Sequence, residues 1–220
     1  MKIGFIGYGS MARALAGRWA GQHELFIGGR NAEKAAALAT ELGHDTPHGS
    51  PAQAVDFADV VVPATPHQAV FDAIAEIGAD AFAGTTLIDI NNPVPGAFDG
   101  DFLVQQYDGR SLAEAIADAA PGARVVKAFN MCQAKVWEMD PPVFDGRRLV
   151  TMICGDDTDA KATVAALVEA VGSEPLDVGG LPYARQLEAC ASLVIKLLLS
   201  GHDPYTVLNL IQPEVKPFAE

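Results

Sequence analysis

Lys2-Ile3-Gly4-Phe5-Ile6-Gly7-Tyr8-Gly9-Ser10-Met11-Ala12 stands at the start of the chain and decides how the rest is read. Lys2–Ile6 is a short apolar run suited to a buried strand. From Ser10 to Ala20, Met11, Leu15 and Trp19 recur at helical spacing. Between the two lies Gly7-x-Gly9-x-x-Ala12, the G-x-G-x-x-A form of the dinucleotide fingerprint. Gly7 permits the tight turn, and Gly9 lets a pyrophosphate approach the backbone. Ala12 is small enough for the helix to pack on the strand. The helix start then offers free N–H groups and a positive dipole end to phosphates. The motif alone is weak; its position between a strand and a helix gives it weight.

Outward from this unit the chain keeps alternating. Strands are predicted over Glu24–Ile27, Asp59–Val62, Thr85–Ile90 and Arg124–Phe129. Helices are predicted over Ala32–Leu42, His67–Ile77 and Ser111–Ala119, the first two stopped by Gly43 and Gly78. Asn91-Asn92-Pro93-Val94-Pro95-Gly96 breaks the pattern after the fourth strand. The second half continues with strands at Leu149–Cys154 and Glu174–Val178 and helices at Asp159–Val171 and Tyr183–Ser200. The alternation predicts an α/β fold: a Rossmann-type, doubly wound, mostly parallel sheet with a small C-terminal α/β lobe. Residues 1–130 form an NADP-binding Rossmann domain in this reading. Residues 131–220 form a smaller lobe ending in a long apolar helix. Right-handed crossovers place the strands' C-terminal ends along one edge, where ligands bind.

Composition narrows the function. The 220 residues carry a formal net charge of −13, with no basic stripe, so no nucleic-acid partner is expected. The apolar run before Gly7 is too short for a secretory signal. Leu193–Leu199 is interrupted by Lys196 and too short to span a bilayer. No membrane partner is expected. Cys132, Cys154 and Cys190 are widely spaced and form neither a disulfide framework nor a zinc site, which fits a reduced, cytoplasmic compartment. His23, His44, His48 and His202 lack metal-ligand spacing, so no metal is expected.

The residues after the second strand address the cofactor. An NAD site places Asp or Glu there for the ribose 2′-hydroxyl. This chain has Gly28-Gly29-Arg30-Asn31. Arg30 suits a 2′-phosphate, and Asn31 reads as the N-cap of the next helix. Lys34 falls in the first helical turn, where a cation is disfavoured unless a phosphate compensates. Both cations could instead be solvated surface charges. Ala64-Thr65-Pro66-His67 and Asn91-Asn92-Pro93 follow later strands at the same edge, positions that flank a nicotinamide ribose, though Asn and Pro also favour plain turns. His67 is either an acid or a surface residue. Asn130 is a candidate partner for the nicotinamide carboxamide. Cys132 has no partner base in the sequence and is not expected to act as a nucleophile. Gly179-Gly180 before the last helix reads as a ligand cradle or a flexible corner. No catalytic acid, base or nucleophile emerges.

These segments together resemble the NADP-dependent reductases of the deazaflavin coenzyme F-420 (F420), whose dinucleotide domain also occurs in STEAP-type metalloreductases. The markers are Gly7–Ala12, Gly29-Arg30 with Lys34, Thr65-Pro66 and Asn92-Pro93. Further on come Val125–Asn130, Cys154-Gly155-Asp156-Asp157 and Pro175–Leu181. The resemblance implies NADP as cofactor, with coenzyme F-420 or a flavin as second substrate. It implies cofactor contacts at Gly7, Tyr8, Gly9, Ser10, Met11, Gly29, Arg30, Asn31, Lys34, Ala64, Thr65, Pro66, Asn92, Pro93 and Ala128. It also implies hydride transfer to a small-molecule electron acceptor, governed by stacking and orientation of two flat rings. The opening stretch also resembles pyrroline-5-carboxylate reductase, an imine reductase with a longer helical C-terminal domain. A non-catalytic NADP(H)-sensing module is the third reading. The final helix, apolar nearly all round, predicts a homodimer contact around Leu193 and Leu197.

Overall fold

The protein is described by a computed structural model over residues 1–95 and 102–201. Gly96 and His202 lie outside the described residues. The fingerprint stretch forms β1 (Lys2–Ile6) and α1 (Ser10–Trp19). Then follow β2 (Glu24–Gly28), α2 (Ala32–Leu42), β3 (His48–Gly49), α3 (Pro51–Phe57), β4 (Val60–Pro63) and α4 (His67–Ile77). After these come β5 (Thr86–Asp89), α5 (Leu112–Ala119) and β6 (Arg124–Lys127). The remainder holds α6 (Ala134–Trp137), the hairpin of β7 (Val143–Phe144) with β8 (Arg147–Arg148), and β9 (Val150–Gly155). Last come α7 (Thr158–Ala170), β10 (Glu174–Asp177) and α8 (Ala184–Leu199).

Among the described residues eight strands form one sheet in the order β10-β9-β6-β5-β4-β1-β2-β3. The chain moves outward from β1 to β2 and β3, then returns to place β4 on the other side of β1. The strand order therefore reverses between β1 and β4, the point at which open α/β sheets bind ligands. Register holds the strand ends level there, because Ile6 pairs with both Gly28 and Pro63. β9 runs antiparallel to β6, and β10 is parallel to β9. β9 and β10 thus extend the first sheet. Apolar strand composition predicts burial on both faces but not strand direction.

Two apolar layers enclose the sheet. On one face Leu15 and Trp19 of α1, Leu38 of α2 and Leu167 of α7 pack against β1, β4 and β6. Trp19 sits fully buried, its ring 5.8 Å from Phe129 and its Nε1 donating to the Leu167 carbonyl at 3.1 Å. On the other face Val55 of α3, Val70 and Ile74 of α4, Ile116 of α5 and Leu187 of α8 form the second layer. Asn31 caps α2 by accepting from the Lys34 amide at 2.9 Å, as its side chain predicts.

Two differences from the sequence reading bear on the site. α3 was not anticipated, because seven residues show little periodicity. Its start is nevertheless marked by a capping box in which Ser50 and Gln53 bond each other's backbone amides. The last helix reads as apolar nearly all round, with Leu187, Ala191, Val194 and Leu198 sharing one face. Only Leu187 and Ala191 are buried; Val194 is half-buried and Leu198 is 39% exposed. α8 outruns the second apolar layer, and its final turns border a cleft instead. Among the described residues no helix is long and apolar enough to cross a membrane.

α5 and α8 are joined by a forked ion pair. Arg185 Nε donates to Glu114 Oε2 at 2.8 Å and Nη2 to Oε1 at 2.5 Å. Glu114 also accepts from the Ser111 amide at 2.8 Å, completing a capping box. Arg185 and these bonds hold the Glu114 carboxyl down at about 2, from the usual 4.5. A depressed carboxylate adds stability above its unfolded value, and that stability is lost as pH falls toward the folded one. The wild-type melting temperature should therefore fall between about pH 4.5 and pH 2, and Glu114→Gln should flatten that limb. Parallel acid limbs in thermal melts of the two proteins would refute the assignment.

Candidate functional site

The glycine loop is shaped by close approach of backbone to backbone. Gly7 has a φ of +120°, and a Cβ there would lie 2.3 Å from the Ala64 carbonyl oxygen. Its amide donates to the Gly28 carbonyl at 2.8 Å, so the loop is tied to the end of β2. Gly29 gives way to the Tyr8 ring, which a Cβ would meet at 2.4 Å. Gly9 is different. It N-caps α1, has an extended backbone, and a Cβ built on it meets nothing within 4 Å. No side chain caps α1, so its first-turn amides lack a side-chain acceptor, and Gly9, Ser10 and Met11 border a cleft. This is the cradle that a pyrophosphate needs.

Three clefts join along the strand ends. The first, about 240 Å³, runs from Gly29, Arg30 and Pro51 over Gly7–Gly9 to Ala64–Pro66 and the flank of α4. The second, about 210 Å³, shares Gly9 and Ala64–Pro66 with the first and reaches Ser10, Met11, Ile90 and Asn91. The third, about 730 Å³, starts from Ser10, Met11, Ile90 and Asn91. It opens between Asn92, Asn130–Lys135 and the last turns of α8. At the outer end Arg30 is fully available on one wall, while the exposed carboxylates of Asp72 and Glu76 lie on α4. The Thr65 hydroxyl is buried with no partner where the first two clefts meet.

Most residues singled out in the sequence converge here. Gly7, Tyr8, Gly9, Gly29, Arg30, Ala64, Thr65 and Pro66 line the first cleft. Ser10, Met11 and Asn92 line the others. Four do not reach a wall. Asn31 is engaged in its cap, and Lys34 is exposed on α2 beside it. Pro93 is buried, its carbonyl accepting from the Gln105 amide at 2.7 Å. Ala128 is fully buried in the core next to Lys127. Gly179 and Gly180 lie away from the clefts, packed on Tyr183 and Asp156. His67 begins α4, half-buried, with its Nε2 unpartnered and outside the clefts. Cys132 does line the third cleft, but burial pushes its thiol up to about 11, away from a thiolate at neutral pH.

A polar cluster absent from the sequence reading supports this edge from behind. Asp89 ends β5, Lys127 ends β6 beside it in register, and Glu188 lies on α8. The Lys127 ammonium donates to Asp89 Oδ2 at 2.8 Å, Glu188 Oε1 at 2.9 Å and the Asn91 carbonyl at 2.5 Å. All three charged side chains have no exposed surface. Burial opposes the Lys127 charge, but Asp89 and Glu188 outweigh it and hold the ammonium above its usual range. Glu188 also accepts from the Leu112 and Ala113 amides, the positive end of α5. Asp89 Oδ1 accepts from the Asn91 amide at 3.0 Å. Next to it Asn92 and Asn130 form a latch: Asn92 Nδ2 donates to the Asn130 carbonyl, and Asn130 Nδ2 to Asn92 Oδ1 and the Leu187 carbonyl. The one available signal was a charged residue closing each of the apolar runs of β5 and β6, and another in the first turns of the apolar α8.

Known proteins are similar to this chain over most of its length. The family profile described as NADP oxidoreductase coenzyme F420-dependent matches residues 2–93. Metalloreductase STEAP3 of Rattus norvegicus is 35% identical over 95% of this chain, which spans only 39% of that protein's length. The F420-dependent NADP reductase of Methanothermobacter thermautotrophicus is 32% identical over 90% of this chain and 89% of its own. Among solved structures, a candidate F420-dependent NADP reductase from Arthrobacter sp. FB24 superposes with a TM-score of 0.79 at 30% identity. That match covers 91% of this chain and 94% of the other.

The two loop glycines should separate fold from ligand. Gly7→Ala should destabilise the protein by roughly 1–3 kcal/mol, through left-handed strain and contact with Ala64. Gly9→Val should melt near wild type yet lose NADPH binding, because its side chain enters the cradle. Calorimetry finding normal NADPH affinity in a folded Gly9→Val protein would move the phosphate site elsewhere.

Proposed function

The chain belongs to the family of F420-dependent NADP reductases, and from that premise we propose that it transfers a hydride between NADPH and a flavin- or deazaflavin-like acceptor. One observation carries the reading: the three clefts form a single path from Arg30, past the Gly9 cradle, to the larger, mostly apolar cleft under α8. A dinucleotide on that path has its 2′-phosphate near Arg30 and its pyrophosphate on the first-turn amides of α1. Its far ring lies near Ala64–Pro66 and Asn91–Asn92, at the mouth of the third cleft. NADPH, when bound, supplies the hydride from its nicotinamide ring.

The protein's own part is positional. The cradle fixes the phosphates, Tyr8 and Gly29 shape the adenosine end, and Asn91, Asn92 and Asn130 edge the ring site. The turns of α8 from Ala191 to Leu198 give the acceptor an apolar wall sheltered from water. Holding two rings face to face needs no side-chain acid or base, which agrees with the high thiol of Cys132 and the peripheral place of His67. In this reading residues 1–130 hold the cofactor and 131–220 complete the acceptor side. The same reading makes the protein a cytoplasmic homodimer joined through exposed Leu193 and half-buried Leu197 of α8. A stable monomer in sedimentation at micromolar concentration would remove the dimer.

Arg30→Ala should weaken NADP(H) by about 1.5–3 kcal/mol, the scale of hydrogen bonds to a charged group, and leave NAD(H) nearly unchanged. Equal affinity of the unmodified protein for both cofactors, measured by calorimetry, would overturn the 2′-phosphate assignment. The acceptor is tested by NADPH oxidation against a panel of coenzyme F420, flavins, ferric chelates and cyclic imines. Turnover with the deazaflavin or a flavin is expected. Turnover only with cyclic imines would favour an imine reductase, and none with any acceptor would favour a sensing module.

A further inference from the structure

Of the clefts, charge clusters and apolar faces, the buried cluster of Asp89, Lys127 and Glu188 carries an inference furthest, because it touches the ring end of the path without lining it. Its chemistry is demanding. One ammonium and two carboxylates stand without exposed surface, and a buried ion cluster of this kind adds little net stability over well-packed neutral side chains. What it does impose is geometry. Lys127 has three acceptors in three different elements: Asp89 at the end of β5, the Asn91 carbonyl in the loop beyond, and Glu188 on α8. Glu188 in turn takes two amides from the start of α5. The Asn91 peptide is gripped from both sides, its amide by Asp89 and its carbonyl by Lys127. Asn91 lines the cleft where the first and last parts of the path join, and its side chain donates to the Pro63 carbonyl at 2.9 Å.

We propose that Lys127 is a positioning residue that holds the Asn91–Asn92 edge at the height required by the nicotinamide half of NADPH, with Asp89 and Glu188 as its counter-ions. The inference rests on the reading that NADPH lies along this path. It assigns the nicotinamide end, and not the adenosine end, to the buried ammonium. A purely structural role would lower stability and weaken every ligand alike. A positioning role separates the two halves of the cofactor.

The test compares NADPH with adenosine 2′,5′-bisphosphate, which carries the adenosine and 2′-phosphate but no nicotinamide. The variant is the double change Lys127→Met with Glu188→Gln. It removes one charge of each sign, keeps Asp89 bonded to the Asn91 amide, and leaves an acceptor for the start of α5. A cooperative thermal melt establishes that it folds. The expected result is bisphosphate affinity near wild type with NADPH affinity reduced about tenfold, the size of one lost hydrogen-bonded contact at the ring end. Equal losses for the two ligands, or no loss for either, in a folded variant would overturn the positioning role. Should that protein not fold, Lys127→Arg with Glu188→Asp retains both charges but displaces the donor. A smaller loss confined to NADPH is then expected, and an unchanged ratio would overturn the role. If the wild-type protein binds neither ligand, the NADPH path itself fails, and the inference falls with it.

Discussion

An ammonium with no exposed surface, shared between two carboxylates that also have none, sets the frame of this protein at Lys127. Such a group is tolerated only when every partner is in place, since removing one leaves a buried, uncompensated charge. The end of β5, the end of β6, the start of α5 and the first turns of α8 must therefore come together as a unit. That requirement fixes where α8 leaves the sheet. It also fixes how far its last turns stand from the Asn91–Asn92 edge, and hence the width of the larger cleft. The Asn92–Asn130 latch and its bond to the Leu187 carbonyl repeat the same connection one residue further on.

The opposite end of the path is fixed by absence of side chains. Gly7, Gly28 and Gly29 stand where a Cβ would strike the Ala64 carbonyl, Ala54 and the Tyr8 ring. These approaches pack the loop after β1, the end of β2, α3 and the loop after β4 closely together at the point where strand order reverses. Gly9, beside them, opens onto free space. Rigid placement at both ends with little titratable chemistry between them suits a transfer whose barrier is lowered by alignment. Burial takes Cys154 further from reactivity than Cys132, its thiol pushed up to about 12.

The legible part of the molecule was the part written in local periodicity. α2 and α4 begin and end where the apolar spacing and the closing glycines place them, and β1 spans the predicted Lys2–Ile6. The cradle was legible because its residues are adjacent in sequence. The antiparallel pairing of β9 was not, since an apolar run has no direction. The partly open flank of α8 was not, since periodicity shows which residues share a face but not whether that face meets protein or a cleft. The Lys127 cluster was least legible of all. Its members lie 38 and 61 positions apart, and only the sheet register and the return of α8 bring them together.

The central claim is that one path orders a dinucleotide from Arg30 to the Asn91–Asn92 edge. A crystal structure of the protein with NADP⁺ bound tests it most directly. The account predicts the 2′-phosphate within hydrogen-bond distance of Arg30, the pyrophosphate on the amides that open α1, and the nicotinamide at the mouth of the cleft beneath α8. A cofactor lying in the reverse sense, or with its nicotinamide turned away from that cleft, would contradict it.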